Sequence, residues 1–385
     1  MDQQAIVPLR LRHEIWLAVA FLSAMWILTV FCYWSAHWLG LSVFLALVPG
    51  LALVFYFQAQ LVGHAGANHR LGAAESLLPT LGSANWITLL RMGGVVGLAG
   101  FLPLPILHGQ QWPALLSWMP GLVYLGVALA DLLDGFIARK QDQETELGKH
   151  LDIEADAAGL LTASLVAIAL GRLPAIYLLV GLAYYPFILG IWLRRRRARP
   201  LIALRSRPYA RIMAGFQMGL VAVALLPVVN PYYSNIAAWI FMTPLLIGFL
   251  RDWLVVSCRV ETDADQQCLL DRWGRSAIMK SAPLLLRLAV IAAGIEALAN
   301  GGLWLSHPAW QLAHGVSCLL AGVGVMGRSA ALGLVLLLGS NHSPFGTGIL
   351  PTMLFGAAAT LALTGTGAWS ALALEENILY RRGRK

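Results

Sequence analysis

The stretch DLLDGFIARKQDQETELGKHLDIEAD, residues 131–156, places two pairs of aspartates at the adjoining ends of two apolar segments. Asp131 and Asp134 are three residues apart near the end of the first segment. Asp152 and Asp156 are four residues apart near the start of the second segment. Side chains three or four residues apart lie on one face of a helix. A short connection between two such helices therefore brings the four carboxylates together.

Several carboxylates in one place require compensation by cations. Oxygen ligands of this kind favour a hard divalent cation such as Mg²⁺ or Mn²⁺. Two other interpretations stay open from the residues alone. The aspartates could pair with Arg139, Lys140 and Lys149 in a solvated loop, or they could line the ion pathway of a transporter. Gly135 and Gly148 favour a bound ligand instead, because glycine lets a ligand approach the backbone.

The composition indicates a membrane protein. Hydrophobic residues make up 58% of the 385 residues and charged residues 12%, and soluble domains carry about twice that charged fraction. The apolar residues form runs of roughly 18 to 24, long enough to cross a bilayer as helices. The net charge of +8 comes mainly from Lys and Arg in alternate loops, the pattern of cytoplasmic loops. We therefore predict an all-α, polytopic transmembrane bundle with no nucleic-acid partner.

We predict about twelve transmembrane helices and four domains. The predicted spans cover about 14–33, 39–60, 87–107, 114–139, 148–171, 174–193, 209–229, 234–255, 283–301, 309–326, 329–341 and 348–367. The predicted domains are a hairpin with its linker at 1–83, a six-helix core at 84–255, a cytoplasmic interfacial segment at 256–281 and a four-helix module at 282–385. The basic loops place the acidic cluster and both termini in the cytoplasm. The first span lacks a small-residue cleavage pattern and is expected to be retained.

The acidic stretch has the spacing D-x2-D-G-x2-A-R-x8-G-x3-D-x3-D from Asp131 to Asp156. This spacing resembles the signature of the CDP-alcohol phosphotransferase family, also called CDP-alcohol phosphatidyltransferases. Residues 84–91, ANWITLLR, resemble the segment P-N-x-L-T-x-x-R that opens the family's core, with Ala84 in place of proline. Residues 211–217, RIMAGFQ, resemble the start of the family's fifth core helix. The resemblance covers about residues 84–255.

The resemblance implies a reaction and a set of site residues. A phosphatidyl or related group passes from a CDP-activated lipid, such as CDP-diacylglycerol, to an acceptor alcohol, and CMP is released. Asp131 and Asp152 would bridge two ions of Mg²⁺ or Mn²⁺, Asp134 would complete one ion site, and Asp156 would complete the other and act as general base. The residues expected at the CDP group are Asn85, Thr88, Gly135, Ala138, Arg139, Thr145 and Gly148. The expected setting is the cell inner membrane, with membrane lipids and a second copy of the chain as partners.

The acceptor alcohol depends on the arginines that follow the fourth core helix. The run Arg194–Arg199 is typical of a cytoplasmic loop and of attraction to anionic lipid. Arg207 and Arg211 precede or open the predicted fifth core helix. Guanidinium groups at that position favour an acceptor that carries a phosphate, such as inositol phosphate or glycerol phosphate, over serine or choline.

The cysteines and histidines, which are the other potential metal ligands, do not have the spacing of a metal site. The four cysteines include no CxxC pair, so neither a zinc site nor a disulfide framework is predicted. His64, His69 and His150 have no ligand spacing, and His150 is expected to be a solvated loop residue. The C-terminal module resembles DoxX-like membrane modules through Arg287 in LLLRLAVIAAG, and is interpreted as a scaffold, a dimerisation element or a lipid-side partner. The sequence of the N-terminal hairpin indicates no chemical role for it.

Overall fold

The computed structural model describes residues 8–35, 41–71, 76–105, 114–141, 144–202, 208–259, 277–299, 307–365, 367 and 370. Of these, it describes only the backbone at 33–35, 41–46, 114–115, 134–141, 208–211, 277–281 and 297–298. The described chain is helical and contains no β-strand, which confirms the all-α prediction. The helices are α1 (Leu9–Ser35), α2 (Leu41–Gly63), α3 (Gly82–Ala99), α4 (Ala114–Gln141), α5 (Glu146–Ala169), α6 (Leu178–Leu182), α7 (Tyr184–Arg196), α8 (Pro208–Ala224), α9 (Pro231–Val256), α10 (Ala277–Ala299), α11 (Pro308–Val323), α12 (Gly327–Gly339) and α13 (Ile349–Thr364).

The chain divides into two structural units. The first unit contains Met1–Tyr184 and Val221–Pro227, and the second contains Tyr185–Leu220 and Val228–Lys385. In the first unit α3 packs against α1, α2, α4 and α5. Leu89, Met92 and Val96 of α3 are fully buried in consequence. The α3 helix is thus the centre of this unit, and residues on it can reach several neighbours.

Adjacent glycines on α3 permit this close packing. A Cβ atom on Gly93 would lie 2.8 Å from Cγ of Met25 on α1, and one on Gly94 would lie 2.7 Å from Cγ2 of Val127 on α4. Both distances are too short for a real Cβ contact. The two glycines therefore allow α1 and α4 to approach α3 from different sides.

In the second unit α10–α13 pack against one another, and α9 packs against α12 and α13. The start of α9 is capped by the Asn230 side chain, which accepts a hydrogen bond from the Tyr232 amide at 3.0 Å. The Asn230 amide donates to the Gly339 carbonyl at 2.8 Å. The second of these hydrogen bonds connects α9, a predicted core helix, to α12 of the predicted C-terminal module.

Three helical segments are long and apolar enough to cross a membrane, within the part of the chain that the structure describes: Leu9–Cys32, Leu116–Leu133 and Pro231–Val256. A fourth candidate is the bent pair formed by a 3₁₀ turn with α6 and by α7. The span expected at 174–193 is therefore bent in the structure, by 44°. Pro186 is the reason, because it has no N–H to donate to the carbonyl of Leu182.

Large apolar side chains face outward on these helices. Trp16 of α1 is 60% exposed, Leu129 of α4 is 53% exposed and Ile247 of α9 is 62% exposed. A soluble protein rarely carries so many exposed apolar groups on contiguous surfaces, whereas lipid is a favourable environment for them. The protein is accordingly an integral membrane protein. The count of twelve spans stays a prediction.

Candidate active site

Three of the four predicted aspartates converge in the first unit. Asp131 lies in the second half of α4, and Asp152 and Asp156 lie one turn apart on α5. One carboxylate oxygen from each residue lies within 4.8 Å of the other two. The fourth aspartate, Asp134, follows Asp131 by one turn of α4, and its side chain lies outside the described part. The three aspartates of this set whose side chains the structure describes therefore lie close together.

Arg91 of α3 contacts all three carboxylates. Its Nη2 atom lies 2.8 Å from Oδ1 of Asp131 and also forms an ion pair with Asp156. Its Nη1 atom lies 2.6 Å from Oδ1 of Asp152. The residue is 1% exposed. Arg91 is a site residue that the sequence-based prediction does not include, although it ends the segment 84–91 that resembles the start of the family's core.

A second cluster of polar residues lies around the start of α5. Thr145 caps this helix by accepting a hydrogen bond from the Gly148 amide at 2.9 Å. The Asn85 side chain on α3 donates to the Leu81 carbonyl at 2.6 Å and to Oγ1 of Thr145 at 3.4 Å. Thr88, one turn along α3 from Asn85, is buried and donates to the Ala84 carbonyl at 3.2 Å. The residues predicted near CDP on α3 therefore adjoin those at the start of α5.

Gly148 has a structural reason to be glycine. A Cβ atom at this position would collide with Oδ1 of Asn85. This differs from the expectation that glycine at position 148 lets a ligand approach the backbone. In the structure the space beside its Cα is taken by the Asn85 side chain.

The other predicted site residues are only partly described. Gly135, Ala138 and Arg139 belong to the last turns of α4, where the structure describes the backbone alone. Arg211 lies in the first turn of α8, again without a described side chain, and Arg207 lies outside the described residues. The assignments of these five residues stay predictions.

The opposite side of α5 carries a separate polar ladder. Glu154 is 5% exposed and accepts hydrogen bonds from the Tyr56 hydroxyl on α2 and, at 2.8 Å, from the Tyr184 hydroxyl. Nε2 of His150 lies 3.0 Å from Oε1 of Gln60 on α2. The ring of His150 also stacks on the ring of His64, with centroids 3.7 Å apart. The expectation of a solvated loop histidine at position 150 is wrong, because α5 begins four residues earlier.

The clustered carboxylates fit a divalent cation. Mg²⁺ binds oxygen ligands at about 2.0–2.1 Å, so two ligands of one ion are separated by about 3–4 Å. The 4.8 Å limit on the three carboxylate oxygens suits ligands that belong to one ion or to two neighbouring ions. The buried guanidinium of Arg91 shows that the same carboxylates already attract a positive charge. All donors in this set are hard oxygens, which Mg²⁺ and Mn²⁺ prefer.

Comparison with known proteins identifies the class of enzyme. Residues 81–250, somewhat less than half of the chain, match the family model described as CDP-alcohol phosphatidyltransferase. No curated protein and no solved structure matches the chain. The matched segment contains the acidic stretch and Arg91, so the family resemblance is confirmed and a transporter or a simple solvated loop is disfavoured. The match over residues 81–250 therefore supports the enzyme class of the CDP-alcohol phosphatidyltransferases for this integral membrane protein.

Proposed function

We propose that the enzyme transfers a phosphatidyl group from CDP-diacylglycerol, or a similar CDP-activated lipid, to a phosphorylated polyol and releases CMP. The observation that carries the proposal is the convergence of Asp131, Asp152 and Asp156, with one oxygen of each within 4.8 Å of the others. Enzymes of this family use divalent metal. When bound, two Mg²⁺ or Mn²⁺ ions supply positive charge to the pyrophosphate and to the attacking and leaving oxygens.

The proposed roles of the aspartates are those that the family resemblance implies. Asp131 on α4 and Asp152 on α5 would each contribute to both ion sites, Asp134 would complete one site and Asp156 the other. Arg91 supports this assignment because its guanidinium contacts Asp131, Asp152 and Asp156 and restricts their orientation.

The chemical step requires one proton acceptor. Asp156 removes the proton from the acceptor hydroxyl as that oxygen forms a bond to the phosphorus next to the lipid. The bond between this phosphorus and the oxygen of CMP breaks, and the electron pair leaves with CMP. An alcohol is a poor nucleophile at neutral pH, so a carboxylate within hydrogen-bonding reach is needed.

The donor's CDP group is held by residues around the starts of α3 and α5. Asn85, Thr88, Thr145 and Gly148 supply polar groups and backbone there, and the amino end of a helix favours phosphate. The last turns of α4 add Gly135, Ala138 and Arg139, and the planar guanidinium of Arg139 suits phosphate oxygens. The described hydrogen bonds among Asn85, Thr145 and Gly148 support a preformed pocket.

We also propose that the acceptor phosphate binds to Arg207 and Arg211, and that the acceptor is inositol phosphate or glycerol phosphate. The positions of these arginines before and within the first turn of α8 support this choice. Guanidinium groups form paired hydrogen bonds to phosphate that uncharged acceptors cannot use.

Membrane topology completes the proposal. We propose twelve spans, with the active site and both termini in the cytoplasm of a cell whose inner membrane holds the enzyme as a homodimer. The basic loops support this orientation. Labelling of single introduced cysteines at Arg70 and Lys149, which are both expected to be cytoplasmic, tests the orientation, and the mass of the solubilised enzyme tests the dimer.

An assay of the purified full-length protein tests the reaction. The protein in detergent is incubated with CDP-diacylglycerol, Mg²⁺ or Mn²⁺, and a panel of radiolabelled acceptors: inositol phosphate, glycerol phosphate, inositol and serine. CMP release should require the donor, a divalent ion and one acceptor, and EDTA should abolish it. A protein that binds CDP-diacylglycerol but releases no CMP with any acceptor would contradict the proposal.

A further inference from the structure

The N-terminal hairpin, α1 and α2, lies outside the segment that matches the family. It nevertheless contacts α3 and α5, two of the three helices that carry the site. On α1, Glu14 accepts a hydrogen bond from the Leu81 amide at 2.7 Å, just before α3, and Phe21 packs edge-to-face on Trp86 of α3 with ring centroids 6.2 Å apart. The α2 helix, with His64 directly after it, contacts α5 through the polar ladder of Tyr56, Gln60 and His64 with His150 and Glu154.

The ladder residues have matching periodicity on both helices. Tyr56 and Gln60 are four residues apart on α2, and His150 and Glu154 are four residues apart on α5. At about 100° per residue, His150 and Glu154 point roughly 160° away from Asp152 and Asp156 around the α5 axis. One side of α5 therefore carries the aspartates of the site, and the other side carries the contacts to α2.

We propose that the N-terminal hairpin is a positioning element of the catalytic centre. Tyr56 and Gln60 bind Glu154 and His150 and thereby fix the rotation and the axial register of α5, which set the positions of Asp152 and Asp156. Tyr184 supplies a second hydroxyl to Glu154, at 2.8 Å, so the glutamate is held from two elements. This inference rests on the metal role proposed for the two aspartates.

The size of the effect follows from helix geometry. Carboxylate oxygens lie about 6 Å from a helix axis, so a rotation of about 20° moves them by about 2 Å. That displacement equals the length of a Mg²⁺–oxygen bond, and functional geometries tolerate only about 0.5 Å. Packing of apolar side chains is less directional than hydrogen bonds are. The ladder is therefore suited to prevent such a rotation.

Hydrogen bonds also connect the two helices of the hairpin to each other. Gln58 of α2 donates from Nε2 to the Val19 carbonyl of α1 at 3.1 Å and to Oγ of Ser23 at 2.9 Å. Through these bonds the position of α2 is tied to α1, and α1 is tied to the start of α3. The hairpin can thus hold α3, which carries Arg91, and α5, which carries Asp152 and Asp156, in one arrangement.

Three substitutions in the full-length protein separate positioning from packing and from charge. Tyr56→Phe removes only one hydroxyl. Glu154→Met keeps the length of the side chain but removes the acceptor for both tyrosines. Glu154→Gln removes the same charge as Glu154→Met and keeps a carbonyl acceptor. Tyr232→Phe is the matched control, since it removes a hydroxyl that lies 3.2 Å from Thr352 in the second unit.

Mn²⁺ binding to purified protein without substrate, measured by electron paramagnetic resonance, is the deciding readout. Tyr56→Phe and Glu154→Met should weaken Mn²⁺ binding on the order of tenfold, and should lower kcat with little change in the donor KM. Glu154→Gln and Tyr232→Phe should stay within about twofold of the wild type. If Glu154→Met does not fold, Tyr56→Phe against Tyr232→Phe decides the question.

Three results would overturn the inference. Unchanged Mn²⁺ affinity in Tyr56→Phe and Glu154→Met, with melting temperatures that fall, would show that the ladder contributes only packing. A loss in Glu154→Gln as large as that in Glu154→Met would show that the charge of Glu154 matters and its hydrogen bonds do not. A wild-type protein that binds no Mn²⁺ would instead overturn the proposed metal site, and the positioning role with it.

Discussion

Nη1 of Arg91 lies 2.6 Å from Oδ1 of Asp152, and this contact joins the central helix α3 to the side of α5 that carries Asp152 and Asp156. The other terminal nitrogen of Arg91 reaches Asp131 on α4 and Asp156 on α5. One buried side chain therefore connects three helices at the point where the proposed chemistry occurs. The proposed divalent cation would stabilise the same carboxylates as the guanidinium does, and this overlap leads to the first prediction.

Arg91→Met should destabilise the metal-free protein, because it leaves neighbouring carboxylates without this guanidinium. Removal of one partner from a buried ion pair costs about 3–5 kcal/mol. The loss should lie at or below that range, since the Asp152 and Asp156 side chains remain 43% and 42% exposed and solvent screens them. Mn²⁺ should raise the melting temperature of the variant more than that of the wild type. Arg195→Met, at an exposed position, is the control. An equal Mn²⁺-induced rise in melting temperature for Arg91→Met and the wild type would contradict the idea that the guanidinium and the cation stabilise the same carboxylates.

Asp131→Asn and Asp152→Asn should each abolish transfer while the protein remains folded in detergent. Each change replaces a carboxylate proposed to bridge the two ions, and a neutral amide is a weaker ligand for Mg²⁺. CMP release at saturating Mg²⁺, together with size-exclusion profiles, checks the prediction. Normal turnover in either variant would rule out the two-metal assignment.

Asp156→Asn should reduce turnover far more than donor affinity. Proton removal from the acceptor matters mainly in the transition state, so kcat and kcat/KM should fall together. Donor binding is measured separately by titration with CDP-diacylglycerol in the absence of acceptor. A parallel loss of donor affinity would instead identify Asp156 chiefly as a metal ligand.

Gly148→Ala should weaken donor binding, because the added methyl group collides with Oδ1 of Asn85. Displacement of Asn85 would disturb the hydrogen bond to Thr145 that we propose shapes the CDP pocket. We expect a rise in donor KM of about tenfold, equivalent to the loss of ~1.4 kcal/mol. Gly126→Ala on α4 is a matched control, since no atom lies within 4 Å of its added Cβ. Equal donor KM values in the two variants would show that Asn85 is not needed for the donor.

Arg207→Gln and Arg211→Gln should raise the acceptor KM and leave the donor KM nearly unchanged. A hydrogen bond to a charged group contributes ~1.5–3 kcal/mol, so the acceptor KM should rise about tenfold to a hundredfold. The wild-type enzyme should prefer inositol phosphate or glycerol phosphate to the unphosphorylated alcohols. Arg195→Gln, in the arginine run that ends α7, tests whether any loss of charge has the same effect. Faster turnover of inositol or serine than of every phosphorylated acceptor would refute the phosphate pocket.

The sequence by itself determined the helical membrane class, the acidic connection between α4 and α5 and the family. These features depend on composition, on the helical period and on the spacing from Asp131 to Asp156, all of which are local along the chain. The break between α6 and α7 was also encoded locally, in Pro186. It was missed because hydropathy alone continues through that residue.

Only the tertiary structure decided which distant residues meet the site. Arg91 precedes Asp131 by forty positions, and no periodicity indicates which carboxylates a helix packed at the centre of the unit will contact. The same holds for Tyr56 and Gln60, which lie about ninety residues or more before their partners Glu154 and His150. A histidine in a charged stretch resembles a solvated loop residue until its neighbours are known. Helix packing decides these contacts, because it depends on the shapes of several helices at once, such as the space that Gly93 and Gly94 leave for α1 and α4.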